Sequence, residues 1–176
     1  MEIKIIFNPG VIAAAAVIPL VLGFVWYSPR VFGNAWMAAS GLTEEKLKGA
    51  NMVLILAVSF VCSFFIGATL NALVIHQNGV FSLLQKPVGM VRQAVNPEQA
   101  AEAVKLAQGF LKIHEYSFRT LSHGAIHGLL FGLFFITPFI TFNGLFERKG
   151  FKYIAINGGF WTVSSVLMGS VICHFS

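Results

Sequence analysis

Residues 121–146 read LSHGAIHGLLFGLFFITPFITFNGLF, and this stretch decides the class of the protein. It contains no Lys, Arg, Asp or Glu, and it exceeds the roughly 20 apolar residues that an α-helix needs to cross a bilayer. Glycine recurs in it every four residues, at Gly124, Gly128 and Gly132, and His123 and His127 lie one helical turn apart. The stretch therefore predicts a membrane-spanning helix that carries a strip of small residues and a histidine pair.

The composition of the whole chain agrees with a membrane protein. Of its 176 residues, 56% are hydrophobic and 11% are charged, whereas about a quarter of the residues of soluble domains are charged. Asp is absent, and every Glu lies outside the apolar stretches. The basic residues behind the net charge of +5 are scattered beside those stretches, where they would meet anionic lipid head groups. We therefore expect membrane lipid, and no nucleic acid, as a partner.

Four apolar segments are long enough to span a membrane, at about residues 11–28, 52–77, 121–146 and 151–173. Proline lies inside the first and third segments, where a kink is tolerated if neighbouring groups satisfy the freed carbonyls. The first segment ends in Trp26-Tyr27, which favours a retained anchor over a cleaved signal peptide. The prediction is an all-α integral membrane protein with four transmembrane helices in a single domain, residues 1–176.

The connections between these segments differ in length and character. In the first, Gly41 is expected to break the chain and Thr43 to cap a short helix. The long second connection, residues 78–120, contains Asn96-Pro97-Glu98-Gln99, which is typical of a helix start. Apolar residues follow at helical spacing, which predicts an amphipathic surface helix. The third connection is so short that spans three and four must form an antiparallel hairpin.

The orientation in the membrane depends on a nearly balanced distribution of basic residues. Four spans place both termini and the second connection on one side, with Lys4, Lys86, Arg92, Lys105, Lys112 and Arg119. The other side carries Arg30, Lys46, Lys48, Arg148, Lys149 and Lys152, in shorter loops. Because short loops near helix ends weigh most in the positive-inside rule, we expect both termini to be non-cytoplasmic.

Two groups of residues resemble a known family. The first comprises Trp26-Tyr27-Ser28-Pro29 with Phe32-Gly33, Trp36 and Gly41-Leu42-Thr43, and the second His123-Gly124-Ala125-Ile126-His127-Gly128 with Asn157-Gly158-Gly159. Together they resemble the small bacterial membrane proteins of domain-of-unknown-function family 1761, over nearly the whole chain outside the second connection. The resemblance implies four helices in a bacterial inner membrane, and it implies no activity.

The glycines of span three predict close helix packing. Gly124, Gly128 and Gly132 form one smooth strip, and span four offers small residues as well. The contact could lie within one chain or between two chains. Because four short helices bury little surface, we expect this glycine zipper to accompany a homo-oligomer.

The histidines are the candidate ligands for a metal ion. His76 closes span two, His123 and His127 open span three, and His174 closes span four. His114 lies in the second connection, and the alternation of spans places all five histidines on one side. Converging imidazoles could bind a transition metal such as zinc, with Glu115 or Cys173 completing the shell. A haem held by two histidines, a pH-responsive cluster and a purely interfacial role are the alternatives.

The remaining polar residues indicate no catalytic site. The interior of the spans contains no Lys, Arg, Asp or Glu, and the chain has no nucleophile elbow or phosphate loop. We therefore expect no enzymatic activity. The expected function is that of a structural, scaffold or partner-binding component of the envelope. The alternative is a small carrier, channel or sensor that binds a metal or another small ligand through the histidines.

Overall fold

The computed structural model describes residues 5–84 and 97–176, and all regular secondary structure in these ranges is helical. The helices are α1 (Pro9–Ala16), α2 (Ile18–Trp26), α3 (Gly33–Ser40), α4 (Glu44–Lys48), α5 (Met52–Val74), α6 (Gln77–Leu84), α7 (Pro97–Ile113), α8 (Leu121–Phe131), α9 (Thr137–Phe146) and α10 (Phe151–Phe175). A π-helical turn, Gly132–Ile136, joins α8 to α9. Four helical stretches are long and apolar enough to cross a membrane: Pro9–Trp26, Met52–Val74, Leu121–Phe146 and Phe151–Phe175. They match the four predicted spans, which confirms the all-α class.

The first span bends where α1 ends and α2 begins. Asn8 caps α1 by accepting a hydrogen bond from the Val11 amide at 3.2 Å. At the other end of α1, the Val17 amide bonds back to Ala14 rather than to the residue four before it. Pro19 follows in the first turn of α2 and has no N–H to donate, so the helix cannot continue its regular ladder through this point. The predicted kink therefore lies between the two halves of the span.

The second span is shorter than the sequence predicted. Asn51 caps α5 through a bond from the Leu54 amide, but the helix ends at Val74 and does not reach Gln77. Ile75 leaves the helical conformation, with φ −98° and ψ 88°, and α6 starts two residues later. This break was missed in the sequence, and it places His76 between two helices.

The third span contains the other predicted kink. Because Pro138 has no N–H, the ladder is rearranged before it, and the Thr137 amide bonds to Gly132 five residues back. The Thr137 hydroxyl donates a second hydrogen bond to the same carbonyl at 2.8 Å. The Gly132 carbonyl thus accepts both the amide and the hydroxyl of Thr137, which fixes the π-helical turn before Pro138.

The closest helix contact joins α8 to α10 inside one chain. A Cβ added at Gly124 would collide with the carbonyl of Gly169, and one added at Gly128 would collide with the carbonyl of Ser165. A Cβ added at Gly132 would likewise collide with the backbone of Thr162, at its Cα. The predicted glycine strip is therefore used within the chain, and a homo-oligomer would need another surface. The buried core beside this contact consists of Ala15, Leu70, Val74, Ile75, Met168, Ile172 and Cys173.

The connections between the spans largely agree with those predicted from the sequence. Gly41 adopts a left-handed conformation, φ 73°, and Thr43 caps α4. A four-residue turn joins spans three and four as an antiparallel hairpin, with Arg148 also left-handed at φ 56°. The surface helix of the second connection is α7, and its Leu111 is buried while Phe110 is half exposed. The predicted cap at Asn96 lies outside the described residues.

The residues after the first span attach it to the fourth. The Trp26 indole Nε1 donates to the carbonyl of Ile156 at 3.1 Å, and the Tyr27 hydroxyl donates to Asn157 Oδ1 at 2.9 Å. Burial, and secondarily the nearby Tyr153, raise the pKa of the Tyr27 hydroxyl, so it remains a donor well into the alkaline range. These bonds tie the end of the first span to the beginning of the fourth, on the side opposite the described ends of the chain.

Ser28 and Pro29 complete this turn. The Gly33 amide donates to the carbonyl of Ser28 at 2.8 Å, and the Asn34 side chain donates to the carbonyl of Pro29 at 3.3 Å. A Cβ at Gly33 would collide with the carbonyl of Tyr27, so the turn needs glycine at that position. The Trp-Tyr-Ser-Pro stretch thus serves in packing the bundle.

Candidate metal centre

Three histidines converge at the end of the helix bundle that also carries the described ends of the chain. His76 Nε2 lies 3.2 Å from His127 Nε2 and 3.3 Å from His123 Nε2. Each of the three offers one ring nitrogen, and these nitrogens all lie within 4.8 Å of one another. The sequence-predicted pair on span three thus gains a third imidazole from the end of span two.

Local structure explains this convergence. Thr120 caps α8 through a bond from the His123 amide, and the helix then sets His127 one turn further along the same face. Gly124 and Gly128 turn towards α10, which leaves the adjacent helix face, with its two imidazoles, directed away from that contact. The non-helical residue Ile75, which is fully buried, anchors the chain just before His76.

The distances from His76 Nε2 to the other two ring nitrogens suit a tetrahedral metal ion. Zinc–imidazole bonds of about 2.0–2.1 Å at tetrahedral angles place two ligand nitrogens about 3.3–3.4 Å apart. The contacts of His76 Nε2 to the other two rings have nearly this length. One Nε2 carries either one proton or one lone pair, so His76 cannot form a good hydrogen bond with both partners at once. A cation among the three lone pairs would satisfy all of them.

Phe118 covers one side of two of the three rings. Its ring centroid lies 5.7 Å from that of His76 and 5.2 Å from that of His123, and its backbone is left-handed at φ 64°. The Cys173 thiol lies beneath and contacts the carbonyls of Phe118 at 3.2 Å and Val74 at 3.7 Å. Cys173 therefore supports the loop around the site, and it is not among the groups that converge.

The other predicted ligands lie elsewhere. His174 is exposed and packs edge-on against Phe175, with ring centroids 4.6 Å apart. His114 contacts the Ser117 hydroxyl through Nδ1 at 3.1 Å, and Glu115 is exposed and outside the cluster. Of the four proposed metal ligands, the structure thus brings together His76, His123 and His127 but not His174.

A cavity of about 290 Å³ adjoins His76 and is lined by Gln77, His114, Ser117 and Phe118 among others. Gln77 is buried, and its amide nitrogen lies within 3.2 Å of the carbonyls of His114, Glu115 and Ser117. Gln77 thereby fixes the loop that carries Phe118 over the histidines. Sequence reasoning missed Gln77 and Phe118. The signal for Gln77 was an amide side chain at the end of an apolar span, and no signal in the sequence identified Phe118.

Comparison with known proteins places the chain in one family. No curated protein and no solved structure matches it. A family model described as "Protein of unknown function (DUF1761)" matches residues 11–173, which include all three converging histidines and the Trp-Tyr-Ser-Pro turn. This confirms the resemblance seen in the sequence, and the chain belongs to the DUF1761 family.

Proposed function

We propose that this protein binds a divalent transition metal ion, with zinc as the preferred example, at the membrane face where the described ends of the chain lie. The observation that carries the proposal is the convergence of the Nε2 atoms of His76, His123 and His127. Imidazole nitrogen suits zinc, copper, nickel and iron, whereas magnesium and calcium prefer oxygen ligands.

The ligand set also indicates what kind of site this would be. Three neutral imidazoles leave the full charge of a divalent ion uncompensated and leave the fourth tetrahedral position to water or another small ligand. A haem with two axial histidines fits less well, because axial nitrogens bind on opposite faces of the ring and the nitrogens of His76 and His127 are only 3.2 Å apart. The arrangement therefore favours a small ion.

Binding at one face is better supported than conduction across the membrane. The interior of the spans lacks acidic and basic residues, and backbone contacts at Gly124 and Gly128 close the interface between α8 and α10. We therefore propose that the protein acts as a metal sensor or as a membrane-anchored metal-binding protein. We propose no enzymatic activity and, following the family resemblance, a bacterial inner membrane with both termini non-cytoplasmic.

A scaffold or partner-binding role is the second proposal. The close contact of α8 with α10, and the hydrogen bonds that attach Trp26 and Tyr27 to α10, support a chain built to hold its shape. In that case the histidines would serve at the interface with water, and a homo-oligomer or another protein would use the exposed helix faces.

Metal analysis of the protein, purified with a histidine-free tag and dialysed against buffered zinc, tests the first proposal. We expect about one zinc per chain in the wild type and in His174→Ala, because His174 lies outside the cluster. The double variant His123→Ala with His127→Ala should lose it. A wild type without bound zinc, or a double variant that retains it, would overturn metal binding and leave the scaffold role.

A further inference from the structure

A second cavity, of about 530 Å³, lies between the first two spans on the side opposite the three histidines. The kink before Pro19 produces it, because α1 packs along α5 while α2 diverges from it. The cavity follows α5 from Met52 to Ser63, a distance of about 16 Å at 1.5 Å per residue. Its volume falls within the range of small-molecule binding sites in proteins.

The inner end of this cavity holds a hydroxyl group without a partner. Ser63 is 1% exposed, and its Oγ forms no hydrogen bond with the described part of the chain. Ser63 is the middle residue of α5, so it lies at the depth where no water is available to satisfy the group. Ser59, one turn away, lines the same cavity. The Oγ itself is buried, so the Ser63 side chain must rotate towards the cavity before a ligand can pair with it. An unsatisfied buried hydroxyl costs about 1–3 kcal/mol, so a ligand that pairs with it after this rotation would gain affinity.

The walls select for flat, apolar ligands. Aromatic side chains line the cavity from several elements: Phe24, Tyr27, Trp36, Phe160 and Trp161. Such rings pack favourably against another ring in offset or edge-on arrangements. No charged side chain of the described residues lines the cavity, so an ionic ligand would find no counter-ion there.

The depth of Ser63 excludes the polar part of a phospholipid, because ester and phosphate groups lie at the edge of a hydrocarbon layer about 30 Å thick. A hydroxyl-bearing ligand would bring its own proton, which must also be satisfied in this apolar site. A carbonyl oxygen needs only the donor that Ser63 supplies. We propose that the cavity binds a lipid-dissolved, ring-bearing molecule with a carbonyl oxygen, such as a quinone, and that Ser63 donates a hydrogen bond to that oxygen.

A pair of probes with the same decyl chain tests this proposal, a decyl-substituted benzoquinone and decylbenzene, which lacks the carbonyls. Binding is measured on the full chain in nanodiscs as a saturable rise in the unfolding temperature. Quenching of tryptophan fluorescence gives a second readout, because Trp36 and Trp161 line the cavity. We expect saturable binding of the quinone and at least fivefold weaker binding of decylbenzene, the effect of losing one buried hydrogen bond.

Matched variants identify the site. Ser63→Ala should weaken quinone binding about fivefold, whereas Ser164→Ala, which removes an equally buried and unpartnered hydroxyl outside the cavity, should leave it unchanged. Ser59→Phe should fill the cavity and abolish binding, and Val58→Phe, on the exposed face of α5, should not. Equal binding of the two probes, or an unaffected Ser63→Ala variant, would overturn the carbonyl proposal in favour of an acyl-chain groove. Absence of saturable quinone binding would overturn it outright.

Discussion

The Nε2 atoms of His76 and His127 lie 3.2 Å apart although 51 residues separate them in sequence. The contact joins the end of the second span to the start of the third, with α6 and α7 inserted between them. Because both rings present nitrogen to the same point, the contact is more informative than the histidine pair on α8 alone. The proposed metal site therefore depends on the geometry of the ring nitrogens and not on the sequence motif alone.

Single substitution of His76 should weaken zinc binding strongly. His76 is the nitrogen that both other rings face, so His76→Ala is expected to lower affinity by more than about 100-fold, beyond the loss seen for groups that only orient a ligand. Affinity should also be lower at about pH 5 than at about pH 7.5, because protons compete with the metal for imidazole nitrogen. Competition with a coloured zinc chelator measures both effects. Equal affinity at the two pH values would contradict an all-histidine site.

Replacing Gly128 by Leu should destabilise the single chain. The new side chain would collide with the backbone of Ser165, and we expect a loss of about 3 kcal/mol or more of unfolding free energy. Titration with a denaturing detergent, followed by circular dichroism, measures the loss. Gly109→Leu is the matched control, because no described residue lies near that helical position. If Gly128→Leu only dissociated an oligomer and left the unfolding of each chain unchanged, the contact within one chain would be wrong.

Loss of the Tyr27 hydroxyl should lower the free energy of unfolding most below pH 10 and progressively less above it. The folded protein raises the pKa of this group above its ordinary value of 10.0, through burial and then Tyr153. Its stabilising effect is therefore full below pH 10 and declines as pH rises further, since the unfolded chain ionises first. We expect Tyr27→Phe to be less stable than wild type by about 1 kcal/mol at neutral pH, with the gap narrowing above pH 10.

Ultraviolet absorbance titration gives an independent check on Tyr27. The wild type should retain one tyrosine that ionises late, and Tyr27→Phe should lack it. A stability gap that is constant from neutral to strongly alkaline pH would show that the hydroxyl is not protected by the fold.

Orientation is open to a direct test. A reporter enzyme that needs a non-cytoplasmic location should be active when fused after Ser176, and one that needs the cytoplasm should be inactive there. The reason is that the shorter loops on the other side carry the more concentrated basic residues. A fusion in the first connection, near Gly49, should show the opposite behaviour. Cytoplasmic activity after Ser176 would reverse the orientation and place the histidine cluster inside the cell.

Several features of the fold could be predicted because they depend on neighbouring residues. Apolar runs, the cap at Thr43 and the break at Gly41 are local properties of the chain, and all appear as expected. The end of α5 could not be predicted, because residues 75–77 are too apolar or too neutral to signal a break. That break depends on packing, since Ile75 and Gln77 are both buried against other elements.

The candidate site could be predicted only in part, because it too depends on packing. Alternation of four spans placed His76, His123, His127 and His174 on one side, but a side of a membrane is much wider than a metal site. The direction of each imidazole depends on helix rotation. α8 is rotated by the contacts of Gly124 and Gly128 with α10, whereas His174 lies on an exposed part of the last turn of α10.

By itself the sequence determined that this chain has four helices long and apolar enough to cross a membrane, because backbone can be buried in hydrocarbon only when its polar groups are paired within such helices. It also determined the family, through the turn at Trp26-Tyr27 and the histidine–glycine repeat. Only the tertiary structure decided that the glycine strip closes within one chain, that three histidines and not four converge, and that a kinked first span leaves a cavity over Ser63. Those outcomes depend on how helices rotate and tilt against one another, and contacts between residues far apart in sequence set those angles.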